Sequence, residues 1–174
     1  MKKVIVIAGA ALLLATTLVV SCSKDDSDSG STMLKVKMTD SPYNAEEVNV
    51  DIQEVRVRYN DDTLGGWASL STNARVYNLL TLQNGVDTVL AAGTIPVNTV
   101  KELRFVLGSN NSIKIAGVTY PLSVPSGAES GLKIKVDKTV SASLDSLLID
   151  FDATLSVHQT GTGLFQLRPV LRVK

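Results

Sequence analysis

Hydrophobic and polar residues alternate along most of the chain from Met33 onward. Residues 34–38 and 132–136 place apolar side chains at every second position, and residues 147–157 form the longest such alternation. Successive side chains of a strand point to opposite faces, so a period of two predicts strands with one buried face. Turn-forming residues separate these segments, and helical periodicity is nearly absent. The pattern predicts an all-β fold, an antiparallel β-sandwich of Greek-key, immunoglobulin-like or transthyretin-like type.

Two segments depart from simple alternation. The apolar residues of 48–52 and those of 55–59 fall on opposite parities. A shift of one residue exchanges the two faces of a strand, so we predict a β-bulge or bend near Gln53 and Glu54. Residues 79–92 combine helix-like spacing with the breaker Asn84-Gly85, which indicates a short helical turn at most.

The first 28 residues differ from the rest of the chain. A short cationic start precedes the uncharged apolar segment 4–20, which ends in Val19-Val20-Ser21-Cys22. This arrangement is typical of a secretory signal. With cysteine directly after a small residue, it resembles the lipobox of bacterial lipoproteins. The resemblance implies cleavage after Ser21 and lipidation of Cys22.

A transmembrane helix is the alternative interpretation of this segment. An apolar stretch of about 17 residues lies at the lower limit for spanning a bilayer. The residues that follow it are mainly acidic, whereas a stop-transfer segment carries basic residues. We therefore expect a lipid anchor, in which two or more chains such as palmitate provide stable attachment at about 0.8 kcal/mol per buried methylene.

The residues after Cys22 predict where the protein is located. Lys24, Asp25 and Asp26 resemble the export signal of Bacteroidetes-type lipoproteins, which implies the outer membrane and favours surface exposure over a periplasmic location. The predicted organisation is a signal peptide at 1–21, a lipidated Cys22 with a flexible acidic tether at 22–32, and one β-sandwich domain at 33–174.

Composition narrows the functional classes. The chain from Cys22 has 15 basic and 17 acidic residues, because residues 1–21 remove only Lys2 and Lys3. No basic stripe typical of a nucleic-acid-binding protein is evident, so no nucleic-acid partner is expected. Cys22 is the only cysteine, so the exported domain is expected to fold without disulfides.

Several motifs together resemble a family of uncharacterised bacterial lipoproteins. They are Lys37-Met38-Thr39-Asp40-Ser41-Pro42, Gly66-Trp67, Asn78-Leu79-Leu80, Leu148-Ile149-Asp150-Phe151-Asp152-Ala153 and Leu167-Arg168-Pro169-Val170. In this order after a lipobox, they resemble the domain-of-unknown-function 4382 family across residues 33–174. The resemblance implies a lipoprotein and its location, and it implies no activity.

The sequence offers little for catalysis. His158 is the only histidine and lies beside a Gly-Thr-Gly turn, so any histidine-dependent hydrolase would have to use it. We interpret it as a solvated hairpin residue, and a hydrolase is only a residual alternative. No catalytic residue and no cofactor are predicted, and one histidine without a free thiol disfavours zinc and copper.

Asp40, Asp150 and Asp152 are the acidic residues of most interest, because calcium binds through oxygen ligands alone. The alternative is structural pairing, which we favour. Pairing residue 155 with 167 places Asp150 opposite Arg172, and opposite charges facing each other across strands contribute roughly 0.2–1 kcal/mol. We therefore expect Asp150 to pair with Arg172 or Arg168.

Trp67 is the candidate ligand platform. Sugars stack their C–H faces on aromatic rings, and Tyr43, Tyr59, Tyr77 and Tyr120 could contribute to such a surface. The commoner role, filling the core at a sheet end, is favoured. The predicted function is a membrane-anchored, non-catalytic interaction or adhesion module with an unknown protein or glycan partner. The alternative is a glycan-binding accessory lipoprotein.

Overall fold

A computed structural model describes residues 30–59, 67–97, 99–125, 131–141 and 145–174. The strands that these residues form are β1 (Ser31–Thr39), β2 (Glu47–Tyr59), β3 (Ala68–Ser69), β4 (Ser71–Thr72), β5 (Arg75–Asn78), β6 (Thr88–Pro96), β7 (Thr99–Leu107), β8 (Ser112–Ile115), β9 (Val118–Ser123), β10 (Leu132–Thr139), β11 (Asp145–Phe151), β12 (Val157–Gly161), β13 (Leu164–Leu167) and β14 (Leu171–Val173). A 3-10 helix at Leu79–Leu82 and a single helical turn, α1 (Ala153–Ser156), interrupt them. β1 starts at Ser31, slightly before the predicted domain boundary at Met33.

The strands form two sheets that pack around one core, which confirms the predicted sandwich. The five-stranded sheet has the order β14-β11-β1-β6-β4, and the nine-stranded sheet follows β10-β7-β2-β8-β9-β13-β12. β3 and β5 pair with the other edge of β2, since Arg56 has partners in both β3 and β7. The core contains the alternating apolar residues of both sheets, including Val36, Phe105 and Ile149.

The prediction that all strands pair antiparallel is wrong for two pairs. β1 lies parallel to β11, and β13 lies parallel to β9. The partners in each pair are far apart in the sequence, and parallel neighbours require such long connections. Both sheets are therefore mixed.

Local sequence signals locate the bulge and the first helical turn correctly. The register between β2 and β7 shifts between Ile52 and Glu54, as the parity change predicts. The shift allows Val50, Ile52, Val55 and Val57 all to be buried. The 3-10 helix begins after Asn78, whose side chain accepts a hydrogen bond from the Leu80 N–H group.

The predicted continuous strand over residues 147–157 is wrong. β11 ends at Phe151, and α1 separates it from β12. Asp152 caps α1 by accepting a hydrogen bond from Leu155 N at 3.0 Å, and this local bond competes with strand pairing. Neither helical turn in the described residues has the length or hydrophobicity that a bilayer crossing requires.

Candidate functional site

The structure brings the three predicted carboxylates to one end of the five-stranded sheet. Asp40 follows β1 and Asp150 lies in the parallel neighbour β11, opposite Thr39. Asp40, Asp150 and Asp152 are all buried. Parallel strands end at the same edge, so the sequence positions converge in space.

Each carboxylate is bonded within the protein. Asp40 accepts a hydrogen bond from Ala153 N at 2.9 Å, and Gln83 Nε2 donates to it at 3.3 Å. Burial raises the pKa of Asp40 to about 6. These contacts connect the end of β1 to α1 and to the chain after the 3-10 helix. They indicate that Asp40 has a structural role.

Asp150 and Asp152 have cationic partners as well. Lys174 Nζ lies 3.3 Å from Asp150 and Arg172 lies 3.6 Å from Asp152. Asp150 is opposite Arg172, as predicted, but the pairing of residue 155 with 167 from which this was derived is wrong, because Leu167 pairs with Val157. The expected ion pair of Asp150 with Arg172 or Arg168 is also wrong, since its cation is Lys174. No group of three or more metal-ligating side chains capable of holding an ion occurs in the part of the chain that the structure describes.

A groove lies beside the turn that follows β7. Two adjoining hollows of about 370 and 440 Å³ share Ser109, Asn111, Leu122 and Ser123. The polar atoms of Asn111 are used inside the protein, because Asp51 N donates to Oδ1 and Nδ2 donates to Gly108 O. The Ser123 hydroxyl donates to Phe165 O. The side-chain polar atoms of Asn111 and Ser123 are therefore committed within the protein.

The outward side of the nine-stranded sheet has a different chemistry. Alternation points the polar residues of β2, β7 and β10 away from the core, and three cations occupy one row across these strands. Arg56 pairs with Arg104, and Arg104 pairs with Lys133. We call this surface the cationic face; it comprises Arg56, Arg58, Arg104, Lys133, Lys135 and the adjoining Trp67.

Trp67 lies on the cationic face, so the core position favoured from the sequence is wrong. Its side chain is only partly buried. The Arg104 guanidinium lies 4.3 Å from the ring centroid and that of Arg58 lies 5.8 Å away. Trp67 directly precedes β3, which pairs with one edge of β2, and Arg104 is on β7 at the other edge. The ring therefore reaches across β2. Such cation–π contacts contribute about 0.5–1 kcal/mol at exposed sites.

The tyrosines do not join Trp67 in one platform. Tyr77 is buried and Tyr43 packs against the core. Tyr120 instead contacts Phe165, with ring centroids 5.2 Å apart. The side chain of Tyr59 lies outside the described residues. The aromatic part of the candidate surface is therefore Trp67.

Two of the arginines have carboxylate partners and the third differs. Arg56 lies 2.6 Å from Glu54, and Arg58 lies 2.8 Å from Glu102. Within the described ranges, Arg104 has no carboxylate partner, and its Nε atom, like that of Arg56, is shielded from solvent without a hydrogen-bond acceptor. A shielded donor without a partner costs about 1–3 kcal/mol. Among these three arginines, Arg104 is therefore the one whose charge is not balanced by a carboxylate of the described residues.

The cationic face was not predicted, although its residues are visible in the sequence. Arg56, Arg104 and Lys133 each occupy a polar position of an alternating strand. Only the register of three strands places them side by side. The lipidation site Cys22, the cleavage residue Ser21 and the export-signal residues Lys24, Asp25 and Asp26 lie outside the described residues.

The comparisons with known proteins identify a family. A family model described as a domain of unknown function (DUF4382) matches residues 31–169. No curated protein and no solved structure matches the chain significantly. The match extends from β1 to the segment after β13 and covers most of the sequence, so the chain belongs to the DUF4382 family.

Proposed function

We propose that this protein is a surface-exposed lipoprotein of the outer membrane that acts as a non-catalytic interaction or adhesion module. Lipid chains on Cys22 attach it to the membrane, and the cationic face recognises the partner. The secretory and lipobox pattern of residues 1–28 supports the anchor. One observation carries the binding role: Arg104 lies against Trp67 on the outward side of the nine-stranded sheet, with no carboxylate partner in the described part of the chain.

Glycan binding is the second candidate function, and the position of Trp67 favours it. The ring is partly exposed beside arginine side chains, whereas a core tryptophan would be inaccessible to a sugar. Aromatic rings with a polar surround offer both an apolar contact and hydrogen bonds. Glu54 and Glu102 lie in the same face and supply acceptors for sugar hydroxyls.

A hydrolase has less support from the geometry. His158 is exposed on β12, and its cross-strand neighbour is Gln166. A histidine base must lie within hydrogen-bond reach of its nucleophile.

Trp67 serves as the fluorescent probe in the experiment, because it is the only tryptophan in the chain. The full chain in detergent is titrated with a panel of glycans while tryptophan emission is recorded. A change in emission for one glycan class supports the second candidate, and unchanged emission across the panel removes it. Cells producing the Trp67→Ala variant are compared for attachment with cells producing Val118→Ala, which removes an exposed apolar side chain from β9. Equal attachment by both would contradict recognition through the cationic face.

A further inference from the structure

We propose that the cationic face binds an anionic polysaccharide, with carboxylate or sulfate groups, that lies across β2, β7 and β10. Arg104 is the central anion-binding residue, and Trp67 contacts the adjoining sugar ring. This inference rests on the proposed function as a binding protein. It adds the chemical class of the ligand and the residue that selects it.

The spacing of the cations fits a chain of anionic groups. Arg56, Arg104 and Lys133 are direct neighbours across three strands. Adjacent strands are about 4.8 Å apart, so the row spans about 10 Å. Like charges directly opposite one another destabilise a sheet, and within the described residues only Arg56 of this row has a carboxylate partner. A ligand with anionic groups along its length would offset this repulsion.

The Arg104 side chain is held in place before any ligand binds. Gly131 lies directly against its stem, since a Cβ atom built there would be 2.7 Å from Arg104 Cγ. Trp67 covers the guanidinium from another direction at 4.3 Å. Fixing a rotamer-rich side chain in advance reduces the entropy lost on binding. Arg104 is thus preorganised, and a guanidinium group matches a carboxylate or sulfate in a two-pronged contact.

A depression next to Arg58 and Lys135 extends the cationic face along the strands. It has a volume of about 350 Å³ and is lined by Arg58, Lys101, Glu102, Lys135 and Asp137. Lys101 pairs with Asp137 at 2.8 Å, as Arg58 does with Glu102. Lys135 is exposed beside them. The depression offers alternating donors and acceptors, which suits hydroxyl groups between the charged groups of a polysaccharide.

The same features disfavour nucleic acid as the partner. A nucleic acid has one phosphate per nucleotide, and proteins that bind it present an extended basic surface. Here Glu54, Glu102 and Asp137 are interspersed among the cations. The whole chain has 17 basic and 17 acidic residues, so long-range attraction to a dense polyanion is weak.

The test compares four probes on the full chain in detergent: dextran sulfate, polygalacturonate, neutral dextran and a single-stranded oligonucleotide. Binding is measured by calorimetry and by Trp67 emission. We expect both acidic polysaccharides to bind, with an affinity that falls as salt is added, and we expect neutral dextran not to bind.

Arg104→Ala should lower the affinity for the acidic polysaccharides about 10- to 100-fold, as loss of a charge-assisted hydrogen bond implies. Arg104→Lys should retain part of it, because it keeps the charge and loses the planar fork.

Arg168→Ala is the matched control. Arg168 is exposed beyond β13, and its Nε donates to Gln166 at 2.6 Å. The control should leave affinity unchanged, and thermal unfolding of every variant should show that the fold is retained. Equal binding of the acidic polysaccharides by Arg104→Ala and the unchanged chain would overturn the inference.

The remaining outcomes separate this inference from the proposed function. Equal binding of dextran and dextran sulfate would contradict the anionic class and leave glycan recognition standing. Equal affinity for the oligonucleotide, compared at the same charge concentration, would show a general polyanion surface and overturn the sugar assignment. If no glycan binds while cells producing the protein still adhere through it, the adhesion module stands and this inference is wrong.

Discussion

Asp40 shows how a single buried charge can act on the stability of the whole sandwich. The residue is 3% exposed at the end of β1, and its carboxylate accepts a hydrogen bond from Ala153 N. The pKa of Asp40 is raised to about 6, mainly by burial and to a smaller extent by the nearby Asp150 carboxylate. Since the hydrogen bonds only partly offset burial, ionisation of Asp40 is less favourable in the folded state than in the unfolded state.

Asp40→Asn should therefore change how stability depends on pH. The folded pKa is above the unfolded value of 3.8, so the folded state binds more protons between these values and Asp40 lowers stability as the pH rises from about 4 to 6. Asparagine cannot ionise. We expect the free energy of unfolding of the variant, minus that of the unchanged chain, to increase by up to about 3 kcal/mol between pH 4 and pH 7. Urea unfolding at several pH values measures this gain, and a constant difference would contradict it.

Gly131 gives a second prediction at the scale of one residue. Its φ angle of +90° is unfavourable for any side chain, and a Cβ atom would clash with the stem of Arg104. Gly131→Ala should destabilise the fold by about 1–3 kcal/mol and also weaken dextran sulfate binding, because Arg104 must move. Gly117→Ala is the control, since its φ angle is +75° with no atom within 4 Å. Gly117→Ala should be less stable in urea unfolding, while calorimetry shows unchanged dextran sulfate binding. Equal dextran sulfate binding by both variants would contradict the positioning role of Gly131.

At the scale of elements, the junction between β7 and β8 depends on a close contact. Both strands pair with β2, and the turn between them is bonded to Asp51: Gly108 N donates to Asp51 O at 2.8 Å, and Asn110 N donates to its carboxylate at 3.2 Å. A Cβ atom at Gly108 would be 2.1 Å from Asp51 Oδ2. The turn can therefore approach β2 only because residue 108 has no side chain.

A double-mutant cycle tests this contact. Gly108→Ala should destabilise the protein by about 2–3 kcal/mol, in the range of overpacked buried sites. The same substitution in an Asp51→Ala background should cost less, because the clashing carboxylate is gone. We expect a coupling of at least about 1 kcal/mol, as is usual for residues in contact. Strictly additive losses in urea unfolding would show that the carboxylate is not what excludes a side chain at residue 108.

Features of single elements could be predicted from the sequence, whereas the arrangement of the elements could not. The bulge near Gln53 is a local parity change, and strand positions depend on neighbouring residues, so both were predictable. The parallel pairing of β1 with β11 depends on contacts over more than 100 residues, which no local pattern encodes. The cationic face was missed for the same reason, and α1 was missed because the Asp152 cap overrides a regular alternation. Trp67 was identified as a candidate, but its placement required the register of β3 on β2.

At the scale of the whole molecule, β1 and the proposed recognition surface belong to different layers. The described chain enters through β1 in the five-stranded sheet, whereas the cationic face is on the outward side of the nine-stranded sheet. The proposed attachment site therefore precedes a strand of one layer, while the proposed binding residues lie on the other. Anchoring and binding should be separable by mutation.

Cys22→Ala tests this separation together with the proposed lipid anchor. In cells grown with labelled palmitate, the unchanged chain should take up label and sediment with membranes, because at least two acyl chains are needed for stable attachment. The variant should take up no label. Its purified chain should still bind dextran sulfate with unchanged affinity, since Arg104 and Trp67 lie in the folded domain. Ser23→Ala, which retains the thiol, is the control and should label normally. Label in Cys22→Ala would contradict attachment through this cysteine, and an unlabelled but membrane-bound unchanged chain would favour a transmembrane segment.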